Sequence, residues 1–288
     1  MSKLSSFAKN KIKNILDSKY CSKLSWYYRQ GFTQTDSIYK LLLTNNNWIY
    51  TLPKTGTGYV CNVIAFYNAL NKNNSNFNFD NIHEFGVLRG IHTNLSNLRN
   101  YINRDTRYKL FIHSHKFYDV ETENLIITSR NILDQLISNY FFSYKNKKNI
   151  NISINEALDY LISSLINTYY DQKKAIKRSK KFYIIKYEKL ITDPYIVFSE
   201  LFFGIYGKVD EKNLLIAIEK ASVDNLKSFE KDSGRYMYGQ KDLYTFDSFI
   251  RSGKIGEGEE TFTKTQKKYI FDELSKHNIS NDYNLNIK

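Results

Sequence analysis

Cysteine and proline each occur only twice in 288 residues. Cys21 and Cys61 show neither C-x-x-C spacing nor a pairing framework, so a disulfide scaffold is not what holds this fold and a reducing, cytoplasmic compartment is the plain reading. The five histidines and two cysteines show no metal-ligand spacing, and no metal is expected. No run of about 18 apolar residues is present, which argues against a transmembrane helix. The Walker order G-x-x-x-x-G-K-[ST] and a magnesium-binding signature are absent, which argues against an ordinary ATPase or kinase. No recognised RNA- or DNA-binding motif and no internal repeat are visible.

Hydrophobic residues make up 42% and aromatics 16% of the chain, as expected of a globular protein. Its length suits one large domain, 48–288, preceded by an appendage, 1–47, comprising a basic helix and an aromatic-rich lead-in. Residues 1–20 place Leu4, Phe7, Ile12, Ile15 and Leu16 among five lysines. That is a mildly amphipathic helix rather than a signal peptide; it reads as docked on the surface, with peripheral contact to an anionic membrane as the alternative. The chain carries 42 basic and 29 acidic residues, a formal charge of +13. This excess favours anionic ligands without naming one, and clusters such as Lys177-Arg178-Ser179-Lys180-Lys181 read as solvated faces.

The stretch that organises the chain is 48–70. Trp48, Ile49, Tyr50 and Leu52 form a buried strand that Pro53 ends, because proline has no backbone donor. Lys54-Thr55-Gly56-Thr57-Gly58 then supplies an ammonium, two hydroxyls and two glycines immediately before a helix carrying Val60, Ile64, Tyr67 and Leu70. Helix-start N–H groups and their partial positive charge make such a turn a cradle for phosphate or sulfate. Cys61 reads as a small buried residue of that helix.

Further strands are expected at 108–112, 124–129 and 182–185, and helices at 152–176, within 195–221 (two) and at 264–274. Alternating strands and helices predict an α/β fold with a central parallel sheet flanked by helices. The second strand runs into His113-Ser114-His115. If extended backbone continues there, both imidazoles face one side, beyond a strand's carboxyl end, where ligands of such sheets collect. The third strand ends at Arg130-Asn131; Asn131 is placed to cap the helix that follows, with Asp134 in its first turn. His83 and His92 read as surface or structural residues.

The loop Pro53-Lys54-Thr55-Gly56-Thr57 resembles the 5′-phosphosulfate loop of the cytosolic-type sulfotransferases that use 3′-phosphoadenosine 5′-phosphosulfate (PAPS). Arg130 and Ser138, eight residues or about two helical turns apart, resemble that family's pair for the 3′-phosphate. Tyr187-Glu188-Lys189-Leu190…Asp193-Pro194 resembles its Tyr-Glu-Asp-Leu…Asp-Pro element, with Lys189 where aspartate is usual. Lys227-Ser228-Phe229 resembles its adenine-side segment. Arg251-Ser252-Gly253-Lys254-Ile255-Gly256 resembles its closing Arg-Lys-Gly-x-x-Gly loop, with Ser252 replacing lysine. His113-Ser114-His115 is similar to its Lys-Thr-His element.

The resemblance implies the P-loop-type sulfotransferase fold, PAPS as co-substrate, and transfer of a sulfuryl group to a small-molecule or saccharide acceptor with release of PAP. It implies that Lys54 and His115, or His113, are catalytic. Thr55, Gly56, Thr57, Gly58, Tyr59, Arg130, Ser138, Tyr187, Phe229, Arg251, Ser252 and Gly253 would then join Lys54 in binding the cofactor. Gly58 stands where a second hydroxyl is common, and Tyr59 where tryptophan is common. The runner-up is a non-catalytic nucleotide- or polyanion-binding protein on the same fold, supported by the charge and by 24 tyrosines; no specific nucleic-acid partner is expected.

Overall fold

Alternating side chains of the central strand reach into two different cores. The computed structural model describes residues 47–74, 76–79, 85–88, 109–115, 121–146, 150, 152–233 and 253–280. The expected N-terminal helix, Cys21, His83, His92, Arg251 and Ser252 lie outside the described residues. Strand β1 (Asn47–Thr51) is buried along its whole length. Trp48, Tyr50 and Leu52 join a cluster with Leu125, Ile127, Leu136, Leu161 and Tyr169 on one face of the sheet, while Ile49 joins Val60, Ile64, Ile126, Phe198 and Phe202 on the other. Each such side chain contributes on the order of 1.5–3 kcal/mol through removal from water.

The sheet has five strands in the order β2-β3-β1-β4-β5, all parallel. They are β1, β2 (Val87–Leu88), β3 (Phe111–Ser114), β4 (Thr122–Ser129) and β5 (Ser179–Lys186). Helices α1 (Thr57–Leu70), α2 (Ile132–Tyr140), α3 (Ile154–Lys177), α4 (Tyr187–Thr192), α5 (Pro194–Tyr206), α6 (Glu211–Lys220), α7 (Val223–Ser233), α8 (Glu257–Thr261) and α9 (Lys264–Ser275), with a π-helical turn Phe141–Lys145 after α2, complete the described elements. Helices α2, α3 and α9 supply the first core, and α1, α5 and α6 the second. The result is the expected α/β arrangement of a parallel sheet between helical layers.

Local chemistry sets most boundaries. Ser153 and Glu156 form a reciprocal capping box at the start of α3, as Thr263 and Gln266 do for α9. Pro194 occupies the first turn of α5, where its missing N–H costs nothing. The outer strand β5 exposes Lys180, Lys181 and Lys186, a charged edge that discourages pairing with another chain.

Two strand boundaries need correction. The second strand spans 111–114 rather than 108–112, because pairing with β1 places Trp48 beside Ile112 and Tyr50 beside Ser114; His113 is therefore a strand residue. The last strand begins at Ser179 rather than Phe182, paired with Thr122 of β4. Between α1 and β3 lies β2, two residues long and too short to show alternation.

Candidate functional site

The carboxyl ends of β1, β3, β4 and β5 share one edge of the sheet, and the chain leaves each of them through a residue singled out above. β1 leads to Lys54, β3 to His115, β4 to Arg130 and β5 to Tyr187. β1 lies between β3 and β4, so the loop after it emerges where the strand order reverses, the usual place for a ligand in an open α/β sheet.

That loop is tightly built. Lys54 adopts the left-handed region at φ 68°, uncommon for a side-chain-bearing residue and costing about 1–2 kcal/mol. Gly56, at φ 84°, precedes α1. A Cβ there would come within 3.0 Å of both Tyr187 and Leu190, so glycine is required by conformation and by space. The Thr55 hydroxyl donates to the Leu52 carbonyl at 2.7 Å; it therefore accepts from the Thr128 hydroxyl beside it. The Lys54 ammonium lies 4.5 Å from the centre of the Phe142 ring. Phe142 belongs to the widened turn Phe141–Lys145 that continues α2, a distortion often found at functional sites.

Thr51 links the loop to the histidines. Thr57 donates to the Thr51 hydroxyl at 2.8 Å, and the Thr51 hydroxyl lies 3.3 Å from His113 Nε2. His115 Nδ1 is 2.9 Å from the Thr51 carbonyl. A carbonyl only accepts, so His115 Nδ1 carries the proton, and Nε2 is the basic nitrogen of the neutral ring. The Thr51 hydroxyl also lies 3.3 Å from His115 Nδ1, so it stands between the two rings. The two imidazoles meet edge to face, 4.6 Å apart, on one side as expected. His113 is 3% exposed, while His115 is half-buried.

Arg130 is buried and joins three segments. Nη1 donates to the Lys54 carbonyl at 3.1 Å and Nη2 to the Lys254 carbonyl at 2.8 Å. The guanidinium also lies 4.1 Å from the centre of the Tyr187 ring, a cation over an aromatic face. Its Nε is buried without a hydrogen-bond partner among the described residues, so this cation retains unsatisfied donor capacity. Tyr187 donates to the Gly253 carbonyl at 3.1 Å; burial raises its phenol pKa, against the lowering pull of Arg130.

The expected residues are unequally gathered. Lys54, Thr55, Gly56, Thr57, Arg130, Tyr187, Gly253 and the two histidines are joined by the contacts above. Gly58 lies in the first turn of α1, and Ser138 is half-buried on α2. The Tyr59 ring packs edge-on against Phe198 at 5.7 Å, and burial pushes its phenol up to about 12. Phe229 lies on α7 with its ring 5.3 Å from Phe79.

Sequence reasoning missed three participants. Besides Thr51, Glu188 accepts from the Asn131 N–H at 2.8 Å, and Asp134 accepts from two backbone N–H groups of the 253–258 loop. Asp134 gave a signal as an acidic first-turn residue and Glu188 as part of the Tyr187-Glu188 element, neither with a partner assigned, and Asn131 caps α2 by accepting from the Asp134 N–H.

One ammonium, one buried guanidinium and the N–H groups at the start of α1 therefore lie at a common edge, a donor set suited to phosphate and sulfate oxygens. Among the described residues no helix is long and apolar enough to cross a membrane.

Comparison with known proteins bears on the fold and the family. No curated protein sequence matches the chain significantly. Among solved structures, retinol dehydratase in complex with androsterone and inactive cofactor PAP superposes with TM-score 0.55 at 12% identity, covering 84% of each chain. A mouse sulfotransferase, SULT7A1, complexed with PAP gives TM-score 0.55 at 17% identity, covering 84% of this chain and 87% of the other. Retinol dehydratase with retinol and PAP gives 0.54 at 11%, covering 84% and 85%. These likenesses establish the fold, and the sulfotransferase domain model matches residues 45–281. The chain belongs to the sulfotransferase family.

Proposed function

We propose that this sulfotransferase takes its sulfuryl group from PAPS and delivers it to a hydroxyl, or an amine, of a small-molecule or saccharide acceptor in the cytoplasm, releasing PAP. The observation that carries the reading is the bond from Arg130 to the Lys54 carbonyl. It ties the Arg130 guanidinium, 76 positions away in sequence, to the backbone of the loop that carries Lys54. Such a pair suits a ligand with phosphate at both ends of a nucleoside, and PAP in the similar structures supports that choice. The orphaned Arg130 Nε fits a further anionic oxygen. Androsterone and retinol in two of those structures support a small-molecule acceptor.

PAPS supplies the sulfuryl group, and transfer leaves negative charge on the phosphate of the departing PAP. Lys54 is placed to offset that charge, an interaction stronger in the transition state than in the ground state. Loop and first-turn N–H groups of residues 55–58 hold the 5′-phosphate. The Thr57 hydroxyl donates to Thr51 and so contributes orientation. Arg130, Ser138, Arg251, Ser252 and Gly253 serve the 3′-phosphate; Tyr59, Tyr187 and Phe229 lie on the adenine side. His115 Nε2 takes the acceptor's proton, and His113 supports the threonine that orients it.

Incubation with PAPS labelled in its sulfuryl group and a panel of phenols, alcohols, amines and saccharides tests the proposal. Labelled product is expected from the wild type. Its loss in His115→Ala, with PAP binding kept, would assign the base. No labelled product from any acceptor, together with anion binding that falls steeply with salt, would move the polyanion-binding reading ahead.

A further inference from the structure

Asp134 is fully buried, and a carboxylate removed from water is costly unless its oxygens are satisfied. Here Oδ2 accepts from the Gly256 N–H and Oδ1 from the Gly258 N–H, each at 2.7 Å. Both donors lie at the start of α8, 122 and 124 positions away in sequence. The same Oδ2 lies 4.0 Å from Arg130 Nη2. Arg130 reaches the Lys254 carbonyl and Tyr187 the Gly253 carbonyl, so the 253–258 segment is fastened at four points to residues bordering the loop after β1. None of the steps proposed above uses Asp134.

We infer that Asp134 is the positioning residue that locks the 253–258 segment against Arg130, and that this lock sets the preference for a nucleotide carrying a 3′-phosphate. The inference rests on the PAPS reading. A side chain that accepts both N–H groups keeps the loop backbone beside the guanidinium; neutral asparagine keeps the size but turns one acceptor into a donor aimed at an N–H. Asp134→Asn therefore loosens the loop without altering Lys54 or the start of α1.

Calorimetric titration of wild type and Asp134→Asn with PAP and with AMP tests this. The dissociation constant for PAP is expected to rise at least about tenfold, the loss of one charge-assisted bond, while that for AMP changes less than about twofold. Equal weakening of both ligands, as a merely structural role would give, overturns the inference, as does an unchanged ratio. A wild type that fails to distinguish PAP from AMP defeats the cofactor reading itself, and this inference with it. If Asp134→Asn does not fold, amide hydrogen exchange on the free wild type decides. The Gly256 and Gly258 amides should be protected like those of α2, and exchange at the rate of an exposed loop contradicts the lock.

Discussion

Gly258→Ala tests the packing on which the 253–258 segment depends. A Cβ added at Gly258 would lie 2.2 Å from the Leu133 carbonyl carbon, 2.5 Å from its oxygen and 2.6 Å from the Asp134 nitrogen. All three are backbone atoms, with no flexible side chain to turn aside. To restore an ordinary contact of 3.4 Å, the start of α8 must retreat by about 1.2 Å. The same retreat would stretch the two 2.7 Å bonds to Asp134 to about 3.9 Å, beyond hydrogen-bonding distance. Bonds to a charged group are worth about 1.5–3 kcal/mol each, so a loss of at least about 3 kcal/mol is expected. That is a large part of the 5–15 kcal/mol by which folded proteins are typically stable. Urea unfolding followed by circular dichroism would read it as a lowered midpoint, beside a Glu260→Ala control at an exposed position, expected within about 0.5 kcal/mol of wild type. PAP affinity should fall in parallel. An alanine variant as stable as wild type, with unchanged PAP affinity, would refute the reasoning.

Lys54→Gly relieves the left-handed strain, worth about 1–2 kcal/mol, against a glycine entropy cost of about 0.5–1 kcal/mol. The unfolding midpoint should therefore hold or rise while turnover falls on the order of a hundredfold, and a destabilised variant would contradict the strain. Thr51→Val removes the hydroxyl between Thr57 and His113 at a cost of about 1–2 kcal/mol. It spares the carbonyl that fixes the His115 tautomer, so kcat should drop less than about tenfold, against a hundredfold or more for His115→Ala in the same sulfuryl-transfer assay. Hydrogen bonds from the Ser153 hydroxyl, and then its backbone N–H, hold the Glu156 carboxyl below its usual value. Its stabilisation is present above the ordinary carboxylate pKa of about 4.3 and is lost as pH falls through the depressed folded value. Glu156→Gln should accordingly flatten that part of the acid limb of unfolding, and an unchanged limb would count against it.

The parts of the fold legible in the sequence are those written locally. Pro53 ending β1, the glycines and Lys54 before α1, Asn131 capping α2 and Pro194 opening α5 each act within a few residues of their own position. The register of β3 was not local, because the apolar run at 108–112 fits a strand equally well one or two residues either way; its pairing with β1 decides. Asp134 illustrates the limit for the site. An acidic residue in the first turn of a helix reads as a favourable charge on the dipole, and only the fold brings Gly256 and Gly258 to its oxygens. The partners of Glu188 and Thr51 were hidden for the same reason, since they stand on distant parts of the chain.

The central claim is that Lys54 and Arg130 build one site for a nucleotide phosphorylated at both ends. Its most direct measurement is calorimetric titration of wild type, Lys54→Ala and Arg130→Ala with PAP, with AMP in parallel. The account predicts that wild type binds PAP at least about tenfold tighter than AMP, the gain expected from one charge-assisted contact to the 3′-phosphate. Lys54→Ala should weaken both ligands, and Arg130→Ala should abolish the difference between them. Equal affinity of the wild type for PAP and AMP, or a preference that survives Arg130→Ala, would contradict it.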